Sequence, residues 1–388
     1  MDRVKKTPPL KNIPFNRPFL GAGTMGALKK AVESGRLAGD GAIGKGVERK
    51  IEKLFSIRRA LLTTSGTHAL EMAMMLLDLR SGDEVILPSF TFVSTANAVL
   101  RAGGKPVFCE VTEETLTMDP EDLARRITGR TRAIIPVHYA GVAAEMDSIL
   151  RLAKARHLKV IEDAAQGVNA RYKGKFLGTI GDAGCYSFHD TKNYISGEGG
   201  AFLTDSEELA GRAEIIREKG TNRANFLRGE VDKYTWVELG SSYILSELLA
   251  AVLDTQLALR HKIQRRRARI HTMYMDLLEP LERSGRLRLP VIPEGCESNY
   301  HIFFVLLRSE SERNNAIARL RESGIGATFH YVPLHSSPYA RRSLGTRGLK
   351  LPVTDRVAGT LLRLPIYPDL SGGDVVRVAE TLKKILQT

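Results

Sequence analysis

Three short stretches of this 388-residue chain carry side chains that could act together on one small molecule. In SFHDTKNYISGEGG, Lys192 lies just past an apolar run and ahead of a glycine-rich turn. Burial and positive neighbours lower a lysine pKa, so such an amine becomes a nucleophile and proton carrier able to bond to an aldehyde. The glycines allow close backbone approach. In LKVIEDAAQ an apolar run ends in Glu162 and Asp163. Ligands of open α/β sheets sit at the carboxyl ends of strands, and a buried carboxylate there needs a cation. A protonated pyridine nitrogen is such a cation, and pairing it with Asp163 keeps the ring able to accept electrons. Strand alternation sends Glu162 to the opposite face in a structural role, while Gln166, one turn on, can donate to a ring oxygen. The third stretch, TTSGTHALEM, is a small-residue turn opening a helix. Its backbone N–H groups, the helix dipole and the hydroxyls of Ser65 and Thr67 suit a phosphate, although an ordinary capped helix has the same residues.

The elements that must position these groups follow from hydrophobic periodicity. From about residue 60 to 205, strand-like runs (DEVILPSF, PVFCEV, TRAIIPVHYA, LKVIEDA, GCYSFH, GGAFLT) alternate with amphipathic stretches such as THALEMAMMLLDL and MDSILRLAKARH. This predicts an α/β domain with a mainly parallel sheet covered by helices. A helical stretch from about Ser246 to Leu281 leads to strand-like YHIFFVLLR and IGATFHYVP, then to helical DVVRVAETLKKILQT. The chain is too long for one core, so we divide it into a large α/β domain with its N-terminal arm (1–259) and a smaller C-terminal α+β domain (260–388). GAGTMG (21–26) fits the dinucleotide-binding expression, but Pro14 and Pro18 precede it where a central strand would need every backbone donor. It reads better as a turn starting a helix.

The net charge of +13 is spread along the chain, which argues against a nucleic-acid partner and suits attraction of anionic substrates. Its densest run, HKIQRRRARIH, reads as the solvated face of a helix, with a phosphate-binding stripe as the sharper alternative. Cys109, Cys185 and Cys296 are too few and too scattered for a disulfide framework or metal cluster, so no metal is expected. The opening MDRVKKTPPLKN has no apolar stretch after its basic residues, and no long apolar run occurs, so a cytoplasmic protein without a membrane span is expected.

Together TTSGTHALEMA, GDEVILPSFTFVSTANA, VIEDAAQ, SFHDTKNYISGEGG, HYVPLH and LRLPIYPDLS resemble the DegT/StrS-type nucleotide-sugar aminotransferases over nearly the whole chain. The resemblance implies an aspartate-aminotransferase-like fold, fold type I of the pyridoxal-phosphate-dependent transferases. It implies pyridoxal 5'-phosphate as cofactor, with pyridoxamine phosphate as its intermediate form. Lys192 would be the catalytic, cofactor-bonded lysine, Asp163 would hold the ring nitrogen and Gln166 the ring hydroxyl. Gly66, Thr67 and Ser187, beside Ser65, would hold the phosphate. Phe90 would stack on the ring, although a core aromatic fits its spacing equally well. Family members usually supply an Asn across a dimer interface from an LGYNYR-like segment; here LGSSYI places Ser242 at that position and Ile244 in place of the Arg. His138, Tyr139, His330, Tyr331 and His335 are the substrate-binding candidates, although single histidines are more often structural or exposed. PFN, PSFTFVSTANA, PVHYAGVAAEMD, EDAAQGV, AEIIREKGTNR, VDKYTW and LGSSY point, within the family, to enzymes that move an amino group from L-glutamate to C4 of dTDP-4-keto-6-deoxy-D-glucose. The products would be dTDP-4-amino-4,6-dideoxy-D-galactose and 2-oxoglutarate, made by a homodimer. The alternatives are another nucleotide-linked keto sugar, aminated at C3 or C4, or a non-catalytic regulatory member. Sugar 3-dehydratase relatives carry histidine in place of the lysine, so Lys192 argues against that chemistry.

Overall fold

Apolar runs between residues 59 and 204 form seven strands with almost continuous burial: β1 (Arg59–Thr63), β2 (Glu84–Pro88), β3 (Lys105–Cys109), β4 (Thr131–Ile134), β5 (Lys159–Asp163), β6 (Ala183–Ser187) and β7 (Gly200–Thr204). Near-continuous burial is what strands covered on both faces require. The computed structural model describes residues 12–387, so the basic opening segment lies outside the described residues. The strand order is β1-β7-β6-β5-β4-β2-β3, and only β7 runs antiparallel to its neighbours. All six expected sheet strands form. β4 stops at Ile134, ahead of Pro136, which has no N–H for the ladder, although Val137 still bridges Asp163. The added strand is RALLT, an edge strand paired to β7.

Alternate residues of these strands feed two apolar cores, one on each face. Leu62, Ile134, Val160 and Tyr186 enter one, and Leu61, Ala133, Ile161 and Cys185 enter the other. The parallel strands end, and antiparallel β7 begins, on one common edge. That edge receives the 64–66 turn after β1, Asp163 at the end of β5, and the loop from β6 to β7 that carries Lys192.

GAGTMG leads into a helix, Thr24–Glu33, and among the described residues no strand precedes it, so the helix-start reading stands. Past Leu259 the helix Glu247–Ala258 gives way to Arg260–Arg283. In the second helix, Arg267 departs from the solvated-face expectation: it is 3% exposed and donates to the carbonyls of Tyr300 (3.0 Å) and His301 (2.6 Å).

A third core joins this helix to β8 (Phe303–Leu306), β9 (Leu361–Leu364) and the helices Glu310–Glu322 and Gly372–Gln387. The antiparallel partner of β8 is LLRL rather than IGATFHYVP. IGATFHYVP exposes Phe329 and Val332 and ends in Pro333, so its backbone pairs with β9 only through Thr328 and Arg363. Ile13 belongs to this third core: its N–H donates to Gly324 O (2.9 Å) and its carbonyl accepts from Gly326 (2.8 Å). Ile13 thus packs with the C-terminal elements, while the helix Thr24–Glu33 that follows lies beside Glu247–Ala258, Thr24 Oγ1 sharing a hydrogen with Thr255 Oγ1 (3.2 Å).

Candidate active site

The anion-binding turn is built by close backbone approach. A β-carbon on Gly66 would lie 2.7 Å from Ser187 Cβ, and one on Gly200 would run into the Ser65 carbonyl, so glycine at both positions seats the turn on the ends of β6 and β7. Ser65 caps the helix Gly66–Met75, its Oγ accepting from His68 N (3.1 Å). Thr67 Oγ1 shares a hydrogen with Ser94 Oγ at 2.8 Å. Ser65, Thr67 and Ser187 therefore gather with Ser94, which sequence reasoning missed, around one helix N-terminus suited to a phosphate. Ser94 stands at the start of a second helix, Val93–Arg101, and a hydroxyl in the first turn after PSF was the available signal.

Asp163 is 5% exposed. Its Oδ2 accepts from Thr95 Oγ1 (2.8 Å) and its Oδ1 from Ala165 N (3.2 Å), and among the described residues no cationic side chain bonds to it. A carboxylate this buried, oriented by a hydroxyl and lacking a bonded cation, is built to receive one. The side chain of Lys192 makes no hydrogen bond or ion pair among the described residues, although its backbone N–H donates to His189 O (2.9 Å). Burial lowers its pKa to about 8; Asp163 opposes that shift and Arg363 adds to it. A phosphorylated pyridine aldehyde fits this set: anion cradle, buried carboxylate for the ring nitrogen, and an amine made nucleophilic by its surroundings.

Glu162 points into the opposite face. Fully buried, it accepts from Gly178 N (2.8 Å), Ile180 N (2.6 Å) and Gly181 N (2.7 Å), and pairs with His138 Nε2 (2.8 Å). His138 Nδ1 accepts from Ala144 N (3.1 Å), so both ring nitrogens are engaged. His138 is thereby corrected from a sugar contact to a brace behind the sheet. His335 is corrected too. Its ring is held between Ser89 Oγ (2.8 Å) and Asp355 (3.4 Å) at 3% exposure, fastening the 330–335 segment to the end of β2.

Tyr139, His330 and Tyr331 do meet near Lys192. Tyr139 OH and His330 Nδ1 are 3.0 Å apart, and Gln166 Nε2 donates to Tyr331 OH (3.0 Å) while its Oε1 accepts from Ala140 N (2.8 Å). Burial and nearby cations hold His330 well below the usual histidine range, so it is a neutral ring. Phe90 lies under this cluster at 1% exposure, 5.1 Å from Tyr139 and 5.6 Å from Tyr331 between centroids, and no face of it is open to a planar ligand. Phe92, two residues before Ser94, is 57% exposed and lies 6.3 Å from the Tyr331 ring between centroids. Ser242 is exposed and makes no side-chain hydrogen bond among the described residues. Two further groups escaped the sequence reading. Asn193, beside Lys192, is buried and tied to Asn299 O (2.8 Å) and His301 Nδ1 (2.9 Å), anchoring the lysine loop to the segment before β8. Arg363 on β9 carries the other cation that acts on Lys192.

Residues 20–383 match the model of the DegT/DnrJ/EryC1/StrS aminotransferase family. An uncharacterized protein of Methanocaldococcus jannaschii is 36% identical over 347 residues, spanning 87% of this chain and 89% of that protein. Among solved structures, the aminotransferase TlmJ from Streptoalloteichus hindustanus superposes with a TM-score of 0.89 at 30% identity, covering 97% of this chain and 99% of that one. DesV of S. venezuelae gives 0.88 at 32%, with 97% and 99% covered. The PLP form of a sugar aminotransferase assigned in Streptococcus pneumoniae gives 0.88 at 25%, again with 97% and 99% covered. With the cofactor-shaped edge of its seven-stranded sheet, the chain belongs to the DegT/DnrJ/EryC1/StrS family of pyridoxal-phosphate-dependent sugar aminotransferases.

Proposed function

We propose that the enzyme moves the amino group of L-glutamate to C4 of dTDP-4-keto-6-deoxy-D-glucose, yielding dTDP-4-amino-4,6-dideoxy-D-galactose and 2-oxoglutarate in two alternating half-reactions. The observation that carries the chemistry is the meeting, on one sheet edge, of an unpaired amine at Lys192, an oriented carboxylate at Asp163 and the Gly66–Ser187 cradle. Pyridoxal phosphate, when bound, supplies a carbonyl carbon that takes the amino group and a ring that accepts the electrons of a broken C–H bond. Asp163 holds the ring nitrogen protonated. Ser65, Gly66, Thr67, Ser94 and Ser187 hold the phosphate, and Gln166 orients the ring oxygen. Lys192 Nζ carries the proton between the substrate carbon and the cofactor in both halves. Tyr139, His330 and Tyr331 border the sugar.

The choice of C4 and of the galacto product is supported by the strings PSFTFVSTANA, PVHYAGVAAEMD and VDKYTW. A homodimer is supported by the apolar surface of the 226–239 segment, where Leu227, Trp236 and Leu239 are 59%, 75% and 72% exposed. In that assembly Ser242, close behind in the chain, takes the place of the family's Asn against the partner's phosphate. Purified protein incubated with glutamate and a panel of nucleotide keto sugars tests the assignment, with NMR fixing the aminated carbon and its stereochemistry. Selective conversion of the 4-keto-6-deoxyglucose substrate supports it, and amination at C3 overturns it.

A further inference from the structure

Lys192 and Gln166 lie on different loops, and one buried amide in the segment ahead of β8 is bonded to both loops. Asn299, 1% exposed, uses both hydrogens of its Nδ2 on the carbonyls of Gln166 and Val168 (2.8 Å each). Its own carbonyl accepts from Nδ2 of Asn193, the neighbour of Lys192 (2.8 Å), and its Oδ1 accepts from His301 N (3.1 Å). A carbonyl only accepts, so Asn193 must turn Nδ2 to Asn299 and Oδ1 to His301 Nδ1 (2.9 Å), which therefore carries a hydrogen. The segment itself is held in a conformation that side chains seldom adopt. Tyr300 has a left-handed φ of 56°, and it keeps it because Ser298 Oγ accepts from Tyr300 N (2.9 Å) while Arg267 donates to the carbonyls of Tyr300 (3.0 Å) and His301 (2.6 Å). The turn after Tyr139 is shaped to the same amide: Gly141 is left-handed too, and a β-carbon there would run into Asn299 Oδ1. Backbone strain kept in place by several partners marks segments whose position matters to function.

We propose that Asn299 is a positioning residue that fixes the Lys192 amine relative to the Gln166 side chain. The inference rests on the pyridoxal-phosphate reading. Pairing of β5 with β6 ends at Asp163 and Cys185, so the sheet ladder does not reach either Gln166 or Lys192. Beyond it the lysine loop is bonded largely to itself, as in Lys192 N to His189 O and Ser196 N to Phe188 O. Asn299 supplies the cross-link. When an aldehyde is seated by the phosphate cradle and Gln166, the Lys192 nitrogen bonds to the aldehyde carbon and its two hydrogens leave with the aldehyde oxygen as water. Such a step is steep in geometry, a misplacement of about 1 Å costing about a hundredfold. Neither asparagine needs to touch the ring. A second link, Asn169 Nδ2 to Tyr194 OH, is longer at 3.3 Å and serves as the comparison.

Two probes separate position from docking in the full-length protein freed of cofactor. Pyridoxamine phosphate fills the cradle without an aldehyde, whereas pyridoxal phosphate also bonds to Lys192. Measured by stopped-flow absorbance at saturating pyridoxal phosphate, and above about pH 9 where the amine is mostly unprotonated, the first-order rate of bond formation should fall about tenfold or more in N193A and in N299A. In Y194F it should change less than about threefold, and the double variant N193A/N299A should be no more than about twofold slower than N299A, because the two side chains act through one connection. Calorimetry should show pyridoxamine phosphate affinity within about threefold of wild type in N193A, with a melting temperature within about 5 °C. Should N299A fail to fold, N193A against Y194F decides alone. An unchanged rate in N193A, an equal fall in Y194F, multiplying losses in the double variant, or a parallel loss of pyridoxamine phosphate affinity in N193A overturns the proposal. A wild-type protein that forms no bond with pyridoxal phosphate sinks the cofactor reading instead.

Discussion

Lys192 and Asp163 divide the work at the scale of single residues, and each division can be measured. A lysine with pKa about 8 is roughly one-tenth unprotonated at pH 7, several hundredfold more than a lysine at 10.5. The charged groups acting on it are Asp163 and Arg363, and the uncharged rings of His301 and His330 lie near it. Only the neutral amine attacks an aldehyde, so the rate of pyridoxal-phosphate capture by cofactor-free protein should climb with pH through a midpoint near pH 8 and level off above about pH 9. A rate still climbing beyond pH 10 would mean that the desolvated environment is absent. Asp163→Asn keeps a side chain for Thr95 but removes the negative charge, so turnover should drop about a hundredfold or more with the melting temperature little changed. These two residues were legible because each ends an apolar run with a polar group. Phe90 and His138 were misread because residue type does not say which face of a layer a side chain enters. Arg363 went unnoticed because a lone arginine in LLRL resembles any strand residue with a solvent-facing side chain; its significance depends on Lys192, 171 positions away.

At the scale of elements, adjacent positions on β5 separate architecture from chemistry. Glu162 accepts three backbone N–H groups and the His138 ring in a fully buried position. Glu162→Ala would strand those donors, so we expect a loss of about 3 kcal/mol or more in chemical denaturation, in contrast to the mild stability effect at Asp163. The 64–66 turn offers a second test. Gly66→Ala places a methyl 2.7 Å from Ser187 Cβ, which must push the turn off β6, and affinity for pyridoxal phosphate should weaken about tenfold or more by equilibrium titration. The sheet itself was readable because buried parallel strands are uninterrupted apolar runs. IGATFHYVP was misassigned because its β-branched and aromatic residues satisfy strand propensity, whereas pairing depends on a partner far along the chain.

For the whole molecule, Trp236 is a built-in reporter. It is the single tryptophan, and its 75% exposure would end if a second copy covered the 226–239 segment. Its fluorescence should shift to the red on dilution as the pair separates, and Leu239→Asp should give a monomer in sedimentation with little activity; a wild-type monomer at micromolar concentration would remove the shared-site reading. The net charge of +13 predicts that association with the anionic sugar nucleotide slows as salt is raised, which stopped-flow binding would show. The N-terminal arm carries a further consequence. Ile13 bonds at Gly324 and Gly326, and Asn16 reaches the carbonyl of Asp190 (3.4 Å) in the lysine loop. A ribosome delivers the chain from its amino end, so Ile13 has nowhere to dock until more than three hundred later residues have followed it. The seven-stranded sheet can assemble during that interval, but closing the arm over the lysine loop waits until residues 324–326 have been made, and a chain cut short before residue 324 leaves the ribosome with its catalytic edge unlatched.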